Sequence, residues 1–99
     1  MKKDIQNNKM ILQVTTDLIA SKVKDFVSET KQFVESNEVF DEVILDLVNV
    51  TIIDSIGISF IIGLYKSALN NQKKFQVTNA SSDIKQLFEL MKLNDLFQF

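Results

Sequence analysis

The sequence predicts a single α/β domain over residues 1–99, built on a mixed, mainly parallel sheet of about four to five strands with three or more helices. Three observations lead there. Short apolar runs such as Val43–Leu47 and Phe75–Thr78 have the length and composition of strands. Longer stretches carry apolar residues at steps of three and four, the period of an amphipathic helix. The two patterns alternate along the chain, and strands joined through helices run parallel by right-handed crossovers.

The polar opening, Met1–Lys9, holds a weak edge-strand candidate at Asp4–Ile5–Gln6, closed by Asn7–Asn8, whose side chains tolerate positive φ in a turn. Met10–Thr15 follows as a strand with Met10, Leu12 and Val14 on one face. From Ser21 the period changes. Val23, Phe26, Val27, Thr30, Phe33 and Val34 form one helical stripe, with Ser21 as its N-cap. Val43–Leu47 is nearly continuously apolar, the pattern of a central strand covered on both faces. A second helix fits Ile56–Asn70, with Asn71 as a left-handed stop. Phe75–Thr78 is a further core strand, and Ser81 or Ser82 caps a helix striped by Ile84, Leu87, Phe88 and Met91. Phe97–Gln98–Phe99 is expected to begin a final strand. Phe60, Ile61, Leu64 and Tyr65 are expected mainly to fill the core, and Ser59 and Gly63, one turn apart, to pack closely within the domain.

Composition narrows the function. A net charge of −2 with dispersed lysines lacks the concentrated positive surface that nucleic acid requires. No apolar run approaches the roughly 20 residues that span a bilayer, and no signal segment opens the chain. There is no cysteine, so neither disulfides nor thiolate chemistry is expected, and the chain reads as cytoplasmic. There is no histidine either, which removes the usual neutral-pH acid–base and the commonest metal ligand. No cofactor or metal site is expected. Asp46, Asp54 and Lys73 do not supply the acid cluster and lysine of a receiver domain.

The informative stretch runs from Asp46 to Gly57. A strand ends near Leu47, a short connection follows, and a helix begins around Asp54 or Ser55. Loops beyond strand C-termini are where functional residues gather in open α/β sheets. Ser55 stands at the mouth of a helix, where unpaired amides and the positive dipole end favour an anion. A phosphate on Ser55 would add roughly two negative charges beside Asp54 and act as a wedge against a partner shaped for a hydroxyl. Gly57, lacking a side chain, would let a partner's backbone approach the first turn. On its own, Asp-Ser-x-Gly is more often an ordinary helix cap.

The order of the pieces lifts that reading. Val43–Leu47, Val50, Ile53–Gly57, Leu64–Tyr65–Lys66, Phe75, Asn79–Ala80–Ser81, Ile84, Leu87–Phe88 and Leu93–Leu96–Phe97 together resemble the STAS domain. More closely, they resemble the bacterial anti-sigma-factor antagonists of sporulation and stress control. The resemblance implies a partner-switching protein rather than an enzyme. In that family a serine-kinase anti-sigma factor phosphorylates the serine of Asp-Ser-x-Gly, here Ser55, and a phosphatase reverses the step. The unphosphorylated form binds the anti-sigma factor and frees the sigma factor. The partner-binding patch carried over is Asp54, Ser55, Ile56, Gly57 and Ser59.

The chain also departs from the family. The stretch corresponding to Gly-x-Leu-Asp is Thr16–Asp17–Leu18–Ile19, so Ile19 stands where an acid near the serine is usual. Ser59 replaces a second glycine, and Asn71–Gln72 replaces the glycine before the fourth strand. Relatives often continue beyond the position of Phe99, and a truncated edge would leave surface for a partner or a weak homodimer. The competing expectation is a STAS subunit or scaffold of a lipid-transport ATPase or stress-sensing complex. A serine enzyme is remote: with no histidine and with Ile58 where a Ser-x-x-Lys pair would need lysine, Ser55 lacks an activating base.

Overall fold

The computed structural model describes residues 1–96 and 99. Asn7 and Asn8, at φ 53° and 65°, turn β1 (Lys2–Gln6) antiparallel onto β2 (Lys9–Gln13). Two adjacent positive-φ residues match the right-handed strand twist, and asparagine adopts that conformation more readily than most side chains. β2 then pairs in parallel with β3 (Glu42–Asp46), and β3 with β4 (Lys74–Thr78), so the four-stranded sheet has the order β1-β2-β3-β4. The expected strand at Phe97–Gln98–Phe99 falls largely outside the described residues.

The register aligns Met10 with Val43 and Phe75, and Leu12 with Leu45 and Val77. All six are buried, and burying each such side chain contributes about 1.5–3 kcal/mol. The alternate residues Ile11, Gln13, Ile44, Asp46, Gln76 and Thr78 are only half-buried. β3 is therefore packed on one face and open on the other, not covered on both. Its continuous apolar run misled because Ile44 sits between two core positions while itself pointing to the half-open face.

The helices are α1 (Ala20–Val23), α2 (Val27–Val34), α3 (Ser55–Asn70) and α4 (Ser82–Leu90), followed by a 3-10 turn at Leu93–Asp95. Their buried residues, among them Val23, Val34, Ile61, Leu64, Ile84 and Phe88, join the strand residues in one core. The stripe expected from Val23 to Val34 is broken. Phe26 leaves the helical region at φ −135° and ψ 1°, and its ring stacks edge-on against Phe60 with centroids 5.3 Å apart. That turn rotates α2 relative to α1 and leaves Val27 42% exposed. Ser21 lies inside α1 and is not its cap; the N-cap position is Ile19, whose side chain makes no capping bond.

Elsewhere the local signals held in part. Ser81 caps α4 by accepting from the Ile84 amide at 3.2 Å, although Met91, just past the helix end, is exposed rather than part of its stripe. Phe60, Ile61 and Leu64 are buried and Tyr65 half-buried. The stop after α3 is divided between two residues. Asn71 stays at φ −103° and donates from Nδ2 to the Ser67 carbonyl, while Gln72 takes the left-handed conformation at φ 58°. Ser59 and Gly63 are exposed, and a Cβ on Gly63 would meet nothing within 4 Å, so this pair does not serve close packing inside the domain. Among the described residues no helix is long and apolar enough to cross a membrane.

Candidate functional site

Beyond the C-terminal ends of β2 and β3, two loops lie side by side and are joined by backbone. Leu18 donates to the Ile52 carbonyl at 3.0 Å, and Asp54 donates to the Leu18 carbonyl at 3.1 Å, forming a short parallel bridge between Leu18 and Ile53. Three aspartates hold this end of the sheet. Asp46, at the end of β3, accepts from the Val48 amide and Asn79 Nδ2 on Oδ1, each at 3.0 Å, and from Gln13 Nε2 on Oδ2 at 3.1 Å. Asp17 Oδ1 accepts from the Thr51 and Ile52 amides at 2.9 and 3.1 Å. Asp54 Oδ1 accepts from the Gly57 amide and Oδ2 from the Ala20 amide, both at 2.9 Å.

These bonds set the charges. The amides of Gly57 and Ala20 lower the Asp54 carboxyl below its ordinary range, and those of Thr51 and Ile52 do the same for Asp17. For Asp46, burial works to raise the value, but the bonds from Asn79, Gln13 and Val48 together outweigh it, and the result is again a lowering. All three are therefore anionic near neutral pH, and each is occupied in building the scaffold. No group of three or more acidic, cysteine or histidine side chains suited to a metal occurs among the described residues.

Ser55 opens α3 directly after this cap. Its side chain is exposed, and among the described residues nothing hydrogen-bonds to its hydroxyl. Ile52 and Ile56, close to it in the chain, are 58% and 48% exposed. Ser59 is exposed one turn further along. Gly57 differs from its neighbours in the patch: it is buried, and a Cβ there would lie 2.0 Å from the Leu18 carbonyl oxygen. The crowding that requires a glycine is internal to the domain. Ile19 is half-buried at the start of α1, and Asp17 does not stand in for the missing acid because its carboxylate already serves two loop amides.

Sequence reasoning thus placed Asp54, Ser55, Ile56 and Ser59 together and missed Asp17, Leu18 and Ala20, which fix their geometry. An aspartate just after a strand, in a loop with free amides to satisfy, was the available signal for Asp17.

The fold and this loop arrangement define a small single-domain α/β protein with a mixed four-stranded sheet. The STAS domain family model matches residues 1–99, and the chain belongs to that family. Its fold is similar to that of the Thermotoga maritima protein TM1081, with a TM-score of 0.86 at 18% identity, covering 98% of this chain and 82% of that one. It is also similar to the phosphorylated form of the Bacillus cell fate determinant SpoIIAA, an anti-sigma factor antagonist, with a TM-score of 0.74 at 11% identity over 99% and 89% of the two chains. The SulP transporter STAS domain from Vibrio cholerae gives 0.69 at 16% identity over 97% and 77%.

Proposed function

We propose that this protein is an anti-sigma-factor antagonist whose unphosphorylated form binds a serine-kinase anti-sigma factor and releases a sigma factor. Phosphorylation of Ser55 ends that binding, and a phosphatase restores it. The observation that carries the reading is the exposed, unbonded Ser55 hydroxyl at the start of α3, with exposed Ile52 and Ile56 close by in the chain. A kinase can reach such a hydroxyl, and a partner can cover it while it is neutral.

Asp54 explains the sign of the switch. Of the first-turn amides of α3 that would welcome a phosphate, that of Gly57 is already taken by the Asp54 carboxylate, whose other oxygen accepts from Ala20. A phosphate carrying about −1.5 to −2 charge therefore arrives beside an ionised carboxylate rather than in an empty anion site. It projects outward, and a partner packed on Ile52 and Ile56 would have to desolvate it. The protein performs no chemistry of its own in this scheme. Asp54, Ser55, Ile56 and Ser59 form the contact surface, and Gly57 supports it from beneath.

The test is intact-mass spectrometry with site mapping after incubation with the host's serine-kinase anti-sigma factors and ATP. A single phosphate on Ser55 is expected. Its absence with demonstrably active kinases would overturn the reading. The similarity to a SulP transporter STAS domain then favours a domain or scaffold docked on a membrane assembly.

A further inference from the structure

A groove runs between α3 and the α1–α2 pair, reaching the Ser55 patch at one end through Ile56. Two adjoining hollows of about 340 and 200 Å³ form it, and both are lined by Val27, Ser59 and Phe60. The first continues past Ala20, Val23 and Lys24 to Ile56; the second extends along Lys31, Gly63, Leu64 and Ser67. Its α3 wall is low because Ser59, Gly63 and Ser67 recur every fourth residue, presenting about 12 Å of helix without a large side chain. The domain does not need a small residue at Gly63, since space above it is open. The opposite wall carries Val27, 42% exposed because of the turn at Phe26.

The charge of the groove is opposite to that of the chain. Lys24 and Lys31 are its charged lining residues, and no acidic side chain among the described residues lines either hollow, although the whole chain is −2. We infer that this groove docks an acidic amphipathic helix of a protein partner, with the helix's apolar stripe against Val27, Phe60 and Leu64 and its carboxylates on Lys24 and Lys31. Ile56 and Ser59 belong both to this groove and to the Ser55 patch, so one partner can engage the two surfaces together. The groove does not depend on Ser55 being phosphorylated.

The probe is a synthetic amphipathic peptide with leucine on one face and glutamate along both flanks, titrated into the unphosphorylated protein and followed by amide NMR shifts. A second peptide carries lysine in place of glutamate. Shifts concentrated at Ser59, Gly63 and Ser67 with the acidic peptide, and weaker ones with the basic peptide, are expected. The double variant Lys24→Glu/Lys31→Glu should reverse that preference, and Gly63→Phe should abolish binding while the thermal melt stays cooperative. Equal binding of both peptides, or shifts confined to the Ser55 loop, would overturn the proposal. Concentration-dependent shifts at the same amides without peptide would also overturn it, in favour of a second copy of this chain. No kinase enters these measurements, so their failure leaves the Ser55 reading standing, and the converse holds.

Discussion

Asp54 accepts the amide of Ala20 on Oδ2 at 2.9 Å across 34 residues of chain, while its other oxygen caps its own helix through Gly57. One carboxylate thereby starts two helices and ties the β2–α1 loop to the residue before Ser55. The serine's position is set from outside its own helix as well as from within it.

Replacing Asp54 with asparagine separates the two roles. The amide oxygen can still accept from Gly57, but its NH2 group would face the Ala20 N–H, donor against donor. Asp54→Asn should lower the melting temperature and accelerate hydrogen exchange at Ala20 much more than at Gly57. Unchanged exchange at Ala20 would mean that the cross-loop bond contributes nothing.

Acid should unfold this domain through the same loops. Asp17, Asp46 and Asp54 all have folded carboxyl values below the ordinary range. Their stabilisation is fully present above the unfolded value of about 4 and is lost as pH falls through the depressed folded values. With no histidine in the chain, stability should be nearly flat between about pH 5.5 and 7 and then decline below about 4. Asp17→Asn, which keeps an acceptor but not the charge, should lower stability at neutral pH and make the acid limb shallower. Thermal melts across pH would check both.

The two glycines of α3 should respond oppositely to the same change. At Gly57 the new methyl would sit 2.0 Å from the Leu18 carbonyl, so Gly57→Ala must move backbone and should cost at least about 1–3 kcal/mol. At Gly63 the methyl meets nothing, and better helix propensity should yield up to about 1 kcal/mol of added stability. Urea unfolding of both variants would decide.

Gln72→Gly should also stabilise, by roughly 1 kcal/mol, because Gln72 holds φ 58° where glycine has no Cβ penalty. A destabilisation in urea would show that the Gln72 side chain matters more than its backbone strain.

For the proposed switch, Ser55→Asp should weaken binding of the kinase partner and Ser55→Ala should retain it. Calorimetric titration of both variants reads this directly, and tighter binding by Ser55→Asp would indicate a partner that recognises the phosphorylated form.

Much of this was legible in the sequence because it is local. Alternation marked β2, short apolar composition marked β4, apolar density marked α3, three-and-four spacing marked α4, and Asp54 and Ser81 announced their helix starts through bonds to amides three residues on. Ser55 could be placed at a helix mouth for the same reason. The tertiary structure decided what depends on elements brought together. Which face of β3 stays open follows from where the helices pack, and the break at Phe26 goes with its stack on Phe60. Asp17 had no role in the sequence reading, and only folding set it against Thr51 and Ile52. Gly57 suggested a partner's approach until Leu18 was found to fill that space. A periodic pattern repeats within a few residues and can be read along the chain; a hydrogen bond or steric contact between segments 34 to 39 residues apart leaves no local trace, because its geometry exists only after the sheet has aligned the two loops.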